Sequence, residues 1–183
     1  MRRTQILDGA ERVLVERGID ASMAEVAEVA GVAKGTVYLY FASKADLLAE
    51  VRARYLERFA STVEEALGRL DEPTTQASIE HFAACLFDWS QEQYALHHVL
   101  FHEAGVSEQD AFVRGRALLR DLVGDGAARG EIETVDEELT AQFLLDGLHG
   151  LLMATMHPPR PDRARFDRAI AELVPRVLGL ALS

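Results

Sequence analysis

The chain has 183 residues, 49% of them apolar, and a formal net charge of −11. That length supports one sizeable core or two small ones, and the composition is that of an ordinary soluble globular protein. No apolar run reaches the roughly 18 residues of a membrane-spanning helix, Asp8 and Glu11 interrupt what a signal peptide would need, and the lone Cys85 excludes a disulfide framework.

Taken in order, nearly every segment has helical periodicity. Thr4 to Arg17 carries Ile6, Leu7, Ala10, Val13 and Leu14 on one face, and Gly18 is its stop. Ser22-Met23-Ala24-Glu25 has the form of a capping box, which predicts a short helix through Ala30 with Met23, Val26, Ala27 and Ala30 turned inward. Gly31 reverses the chain at little steric cost, and Val32 pins the turn to the core. A very short helix follows from Lys34 to Phe41. Ser43-Lys44-Ala45-Asp46 then caps a long helix to about Leu70, marked by Leu47, Leu48, Val51, Tyr55, Phe59, Val63 and Leu67. Beyond Asp71-Glu72-Pro73, helices are expected from Thr75 to Gln93, Tyr94 to Ala104 and Ser107 to Arg129. Asp136 caps another that ends before Pro158-Pro159, and the last runs from Asp162 to Leu182, with Pro175 marking a kink or end. No period-two strand, internal repeat or low-complexity tract interrupts this pattern. The fold class is all-α.

A free helix as short as Lys34 to Phe41 is unstable in water, so other elements must hold it and its exposed face needs a purpose. Lys34, Gly35, Thr36, Tyr38 and Tyr40 offer a cation, a close backbone approach, a hydroxyl and two phenols. Those groups suit phosphate and base edges better than a protein core. The net charge argues against nucleic acid only until it is divided. Residues 1–54 carry eight Lys/Arg against eight Asp/Glu, so the whole excess of −11 lies beyond them. A neutral head can bind phosphate locally, while an acidic body repels DNA elsewhere and favours one docking orientation. Two short helices joined by a Gly turn, the second presenting polar side chains, form the helix-turn-helix plan.

Residues 6–51 carry Ile6-Leu7-Asp8-Gly9-Ala10, Gly18, Val26-Ala27, Ala30-Gly31-Val32, Lys34-Gly35-Thr36-Val37-Tyr38, Tyr40-Phe41, Ser43-Lys44 and Leu47-Leu48. This set resembles the DNA-binding domain of the TetR family of bacterial transcriptional regulators. The resemblance implies that Lys34, Gly35, Thr36, Tyr38, Tyr40 and Lys44 face double-stranded DNA, Tyr38 and Lys44 on phosphates and Lys34, Thr36 and Tyr40 near bases. Two departures stand out. Ala33 occupies a position where the family commonly has Ser or Thr, and Gly18 to Ser22 is about one residue tighter than usual.

The same resemblance implies two domains, 1–51 for DNA binding and 52–183 for effector binding and dimerisation, joined by the long helix. Gly147 and Gly150, with Leu144, Leu148 and Leu151, would let late helices approach a second copy in a homodimer. Phe82, Cys85, Trp89, Phe101 and Phe143, with His98 and His102, are the candidate lining for a small apolar or aromatic effector. His98 and His102 lie one turn apart, which raises the alternative of an all-α metal-dependent enzyme or metal sensor. No Ser-His-Asp, Cys-His or paired-carboxylate arrangement and no phosphate loop is evident. The expectation is a cytoplasmic repressor that is not an enzyme, with no cofactor and no membrane partner.

Overall fold

The structure, a computed structural model, describes residues 1–103, 113–134, 136–156 and 161–180, without the side chains of His102 and Glu103. Every regular element among them is helical. The helices are α1 (Arg2–Arg17), α2 (Met23–Val29), α3 (Lys34–Tyr40), α4 (Lys44–Leu67), α5 (Thr75–Glu92), α6 (Tyr94–His98), α7 (Val113–Ala128), α8 (Glu137–Thr155) and α9 (Arg163–Val177). A 3₁₀ turn at Gly18–Asp20 spans the tight link after α1, and a π-helical turn at Val99–Glu103 continues α6. None of the described helices is long and apolar enough to cross a membrane.

The chain divides into two compact units, Met1–Glu57 with the described residues of 93–111, and Arg58–Glu92 with the described residues of 112–183. In the first, the stripe on α1 and the inward residues of α2 are buried as their spacing requires, and Val37, Phe41, Leu47 and Val51 complete the core. Gly9 sets how closely α1 meets α2, because a Cβ built there would stand 2.9 Å from the Ala30 Cβ. Arg54 on α4 pairs with Asp8 at 2.5 Å and Glu11 at 3.5 Å on α1, and Arg3 pairs with Glu50 at 2.6 Å. The π turn packs its Leu100 carbonyl on Arg52, whose guanidinium donates at 3.1 Å from a buried position. Burial pushes the Arg52 guanidinium below its ordinary value.

The second unit is built around Phe59, Phe82, Phe87 and Phe166, all buried. Phe59 meets Phe82 edge-on at 5.6 Å, and Phe87 meets Phe166 at 5.0 Å. Helices α7 and α8 pack along each other, and α9 closes on α5 and α8. Asp136 and Asp162 cap α8 and α9 by accepting from the N–H groups of Leu139 and Arg165 at 2.9 Å.

Three element ends differ from expectation. Helix α4 stops at Leu67 rather than Leu70, since Arg69 and Leu70 donate to residues three back and tighten the chain out of the α ladder. The Tyr94 to Ala104 helix is an α turn followed by the π turn. Pro175 lies inside the last turn of α9, which ends two residues later at Val177. The carbonyl deprived of a donor there belongs to Ala171, which is exposed to water.

Candidate nucleic-acid interface

Helix α3 spans seven residues and is held from outside itself. Its one buried residue, Val37, is 0% exposed and ties it to the core. The turn before it is a Schellman motif: Gly31 adopts φ 65, its N–H donates to Glu28 at 3.0 Å, and Val32 N–H donates to Ala27 at 2.9 Å. The Gln5 amide reaches from α1 to the Ala30 carbonyl at 2.7 Å and fixes the same corner. Upstream, Ser22 and Glu25 complete the capping box expected of α2, and the Ser22 hydroxyl and N–H hold the Glu25 carboxyl below its ordinary range. Ala33 is the N-cap of α3 and has no side-chain hydrogen bond to offer.

With Val37 inward, the rest of α3 is presented to solvent. Lys34 and Gly35 are exposed, and Thr36 is half-buried. Tyr38 and Tyr40 are 45% and 46% exposed. Lys34 has no carboxylate partner among the described residues. A Cβ added at Gly35 would meet nothing within 4 Å, so a ligand can approach the backbone there. These five residues therefore form one continuous polar and aromatic surface. Lys44, the sixth candidate, is placed differently: it is half-buried and its ammonium donates to the Ile19 carbonyl, tying the start of α4 to the 3₁₀ turn. Leu39, which periodicity did not single out, is 85% exposed in the middle of this surface. The signal that could have found it is its place opposite Val37 on a helical wheel, once Val37 is known to point inward.

The candidate effector-lining residues are divided between the two units, Phe82, Cys85, Trp89 and Phe143 in the second and His98 and Phe101 in the first. Phe82 is fully buried in the aromatic core of the second unit. Cys85 and Trp89 are half-buried on the same helix, Trp89 lying 6.4 Å from Phe59. Burial, and then the Asp88 charge, push the Cys85 thiol up. Phe143 is 64% exposed and lines an open apolar groove of α8 and α9, whereas Phe82 is enclosed. In the first unit, His98 is exposed beside Tyr94 with rings 6.1 Å apart, while Phe101 lies 4.7 Å from the ring of His97. It is the neighbouring His97 that is buried, its Nδ1 3.0 Å from the Tyr55 hydroxyl. The side chain of His102 lies outside the described residues. Among those residues, no three His, Cys, Asp or Glu side chains converge as a metal ion requires.

Leu144, Gly147, Leu148, Gly150 and Leu151 share an open apolar groove with Ile170, Leu173, Val174 and Val177 of α9. Built Cβ atoms at Gly147 and Gly150 would meet nothing within 4 Å. Leu139 and Leu173, 66% and 41% exposed, extend the apolar face.

Known proteins resemble this chain in both sequence and fold. Residues 6–51 match the family described as bacterial regulatory proteins, tetR family. The chain is 33% identical over 110 residues to the HTH-type transcriptional activator FasR of Mycolicibacterium smegmatis. That alignment covers 58% of this chain and 48% of the relative, so the chain spans about half of its length. It is 26% identical over 153 residues to the HTH-type transcriptional repressor KstR2 of Rhodococcus jostii, covering 79% of this chain and 75% of that one. Among solved structures, the transcriptional regulator FadR from Bacillus subtilis in complex with stearoyl-CoA matches with a TM-score of 0.77. It is 21% identical and the match covers 96% of this chain and 97% of that chain, a likeness of fold.

Proposed function

This chain belongs to the TetR family of bacterial regulatory proteins, and from that premise we propose that it is a ligand-responsive transcriptional repressor. In this reading it binds a pseudo-palindromic DNA operator as a homodimer and is released by a small apolar effector. The observation that carries the proposal is α3: a helix pinned by one buried valine, with Lys34, Gly35, Tyr38 and Tyr40 all turned to solvent. No packing need accounts for two exposed phenols and an unpaired ammonium on one seven-residue helix. In the major groove, Lys34 would meet phosphate or a guanine edge, Thr36 and Tyr40 would reach base edges, and Tyr38 would hydrogen-bond phosphate. Lys44 would set the position of α3 by anchoring the start of α4, with any phosphate contact secondary to its bond to Ile19.

In this reading residues 1–51 are the DNA-binding domain and 52–183 the effector and dimerisation domain, although 52–57 and the described residues of 93–111 cluster with the first unit. One head reads only a half-site, so two are needed about 34–36 Å apart to enter successive major grooves. The groove between α8 and α9, apolar and open, is the proposed seat of the second copy. Helix α4 is the covalent link through which an effector in the body would change the spacing of the heads. An apolar effector is supported by the aromatic character of the body, and FadR, similar in fold, was solved with stearoyl-CoA.

The test is to select bound fragments from the source genome, footprint the strongest, and titrate it by fluorescence anisotropy at fixed salt. Tyr38→Ala should weaken binding about tenfold or more, as expected for a lost hydrogen bond to a charged group. Its sedimentation should match the wild type. Unchanged affinity at matched salt would remove this face from the interface.

A further inference from the structure

Leu39 is the most exposed large apolar side chain among the described residues apart from the terminal Met1. An exposed leucine on a surface loop needs no explanation. On a short helix whose other outward groups are polar, its position is informative. Successive residues of a helix are rotated by about 100°, so Leu39 and Gly35, two residues after and two before Val37, lie about 160° from it on opposite sides and about 40° from each other. Val37 is fully buried, which orients the wheel. Gly35 and Leu39 therefore occupy the ridge of α3 farthest from the core. Lys34 and Tyr40 lie on its inner shoulders, Thr36 and Tyr38 on its flanks.

Whatever α3 meets head-on is met first by a bare backbone and an isobutyl group. A leucine there cannot hydrogen-bond a base edge or a phosphate. The major groove has one apolar feature that distinguishes base pairs, the 5-methyl group of thymine. Gly35 removes a side chain one turn before Leu39, on the same ridge, and its open surroundings allow close approach. Lys34 supplies the cation that holds the helix against the phosphate-lined groove.

Resting on the DNA-binding reading above, we propose that Leu39 is a specificity-determining residue that reads thymine methyl groups in each half-site. It would discriminate by apolar contact, alongside the hydrogen-bonding residues on its flanks. Removing the methyl should weaken binding roughly fourfold per half-site, as for one buried methylene-sized group.

The experiment uses the full chain and an operator defined by footprinting. Thymines of the half-site are replaced one position at a time by deoxyuridine, which keeps every hydrogen-bonding group and deletes only the methyl. Wild-type protein should lose affinity at one or two adjacent positions. Leu39→Ala should bind the unmodified operator more weakly and be indifferent to deoxyuridine at those same positions. Its thermal melt should be unchanged, because the side chain supports no core. Wild-type protein indifferent to every deoxyuridine, or Leu39→Ala as sensitive as wild type, would overturn the assignment while leaving DNA binding intact. If the wild type binds no genomic fragment, the DNA-binding reading itself fails and Leu39 loses its role with it.

Discussion

Glu131 shows how one side chain beyond a helix can complete another element. Its carboxylate accepts the Thr75 N–H at 2.6 Å and the Thr75 hydroxyl at 2.8 Å, and so caps the start of α5 from 56 residues away. Arg129 donates to it at 2.6 Å. Gly126 leaves room for the arrangement, since a Cβ there would lie 2.0 Å from the Thr75 hydroxyl oxygen. The Arg129 hydrogen bond, followed by those from Thr75, holds the Glu131 carboxyl down at about 2 against an ordinary 4.5. A group whose pKa is depressed by folding stabilises the native state above its unfolded pKa and loses that contribution as pH falls. The stability advantage of wild type over Glu131→Gln should thus be constant above pH 4.5 and shrink steadily toward pH 2. Urea denaturation across that range measures it; an advantage independent of pH would show that the carboxylate charge contributes nothing. The sequence does not display this contact, because a cap supplied across 56 positions has no local pattern.

At the scale of elements, caps and stops were the most legible features. Ser22 with Glu25, Ser43 before α4 and Asp136 all accept the N–H expected of them, and Asp162, read only as the first residue of its helix, caps α9 in the same way. A cap involves residues three apart, so the chain displays it without any tertiary information. The exception confirms the physics: Ala33 sits at an N-cap and makes no such bond. Ala33→Ser should supply one to the N–H groups opening α3 and stabilise the protein by about 1 kcal/mol. A better-ordered α3 should also bind the operator more tightly, read as a higher denaturation midpoint together with a lower Kd. A raised midpoint with unaltered affinity would mean that α3 is already fully formed before it meets DNA. The ends of α4 and α6 were less legible. They depend on how the last turn of α4 tightens and on the π turn that packs Leu100 against Arg52, neither of which leaves a periodic trace.

The whole molecule combines a charge-neutral first 54 residues with an acidic remainder, and an outward apolar groove in the second unit. Gly147 lies in that groove with open space above it within one chain. Gly147→Trp therefore has nothing to clash with in the isolated protomer and should leave helical content unchanged. Against a partner seated in the groove it would be an obstruction. If the proposed homodimer forms through this groove, sedimentation should show the wild type as dimer and the variant as monomer, with operator affinity reduced because each head then binds alone. A dimer that persists would place the interface elsewhere.

The sequence by itself determined the helices, their caps, the Gly31 turn and the identity of the polar groups on α3, because each follows from residues within one or two turns of each other. Family resemblance extended this to the class of partner those groups are expected to meet. Tertiary structure alone decided which way α3 faces and which aromatic residues of the second unit are enclosed. Burial of Val37 turned Gly35 and Leu39 outward, the Ile19 carbonyl engaged Lys44, and the second unit took Phe82 inside while leaving Phe143 outside. Rotation about a helix axis is set by contacts with elements distant in the chain. On a helix as short and polar as α3, no local pattern of residues contains that information.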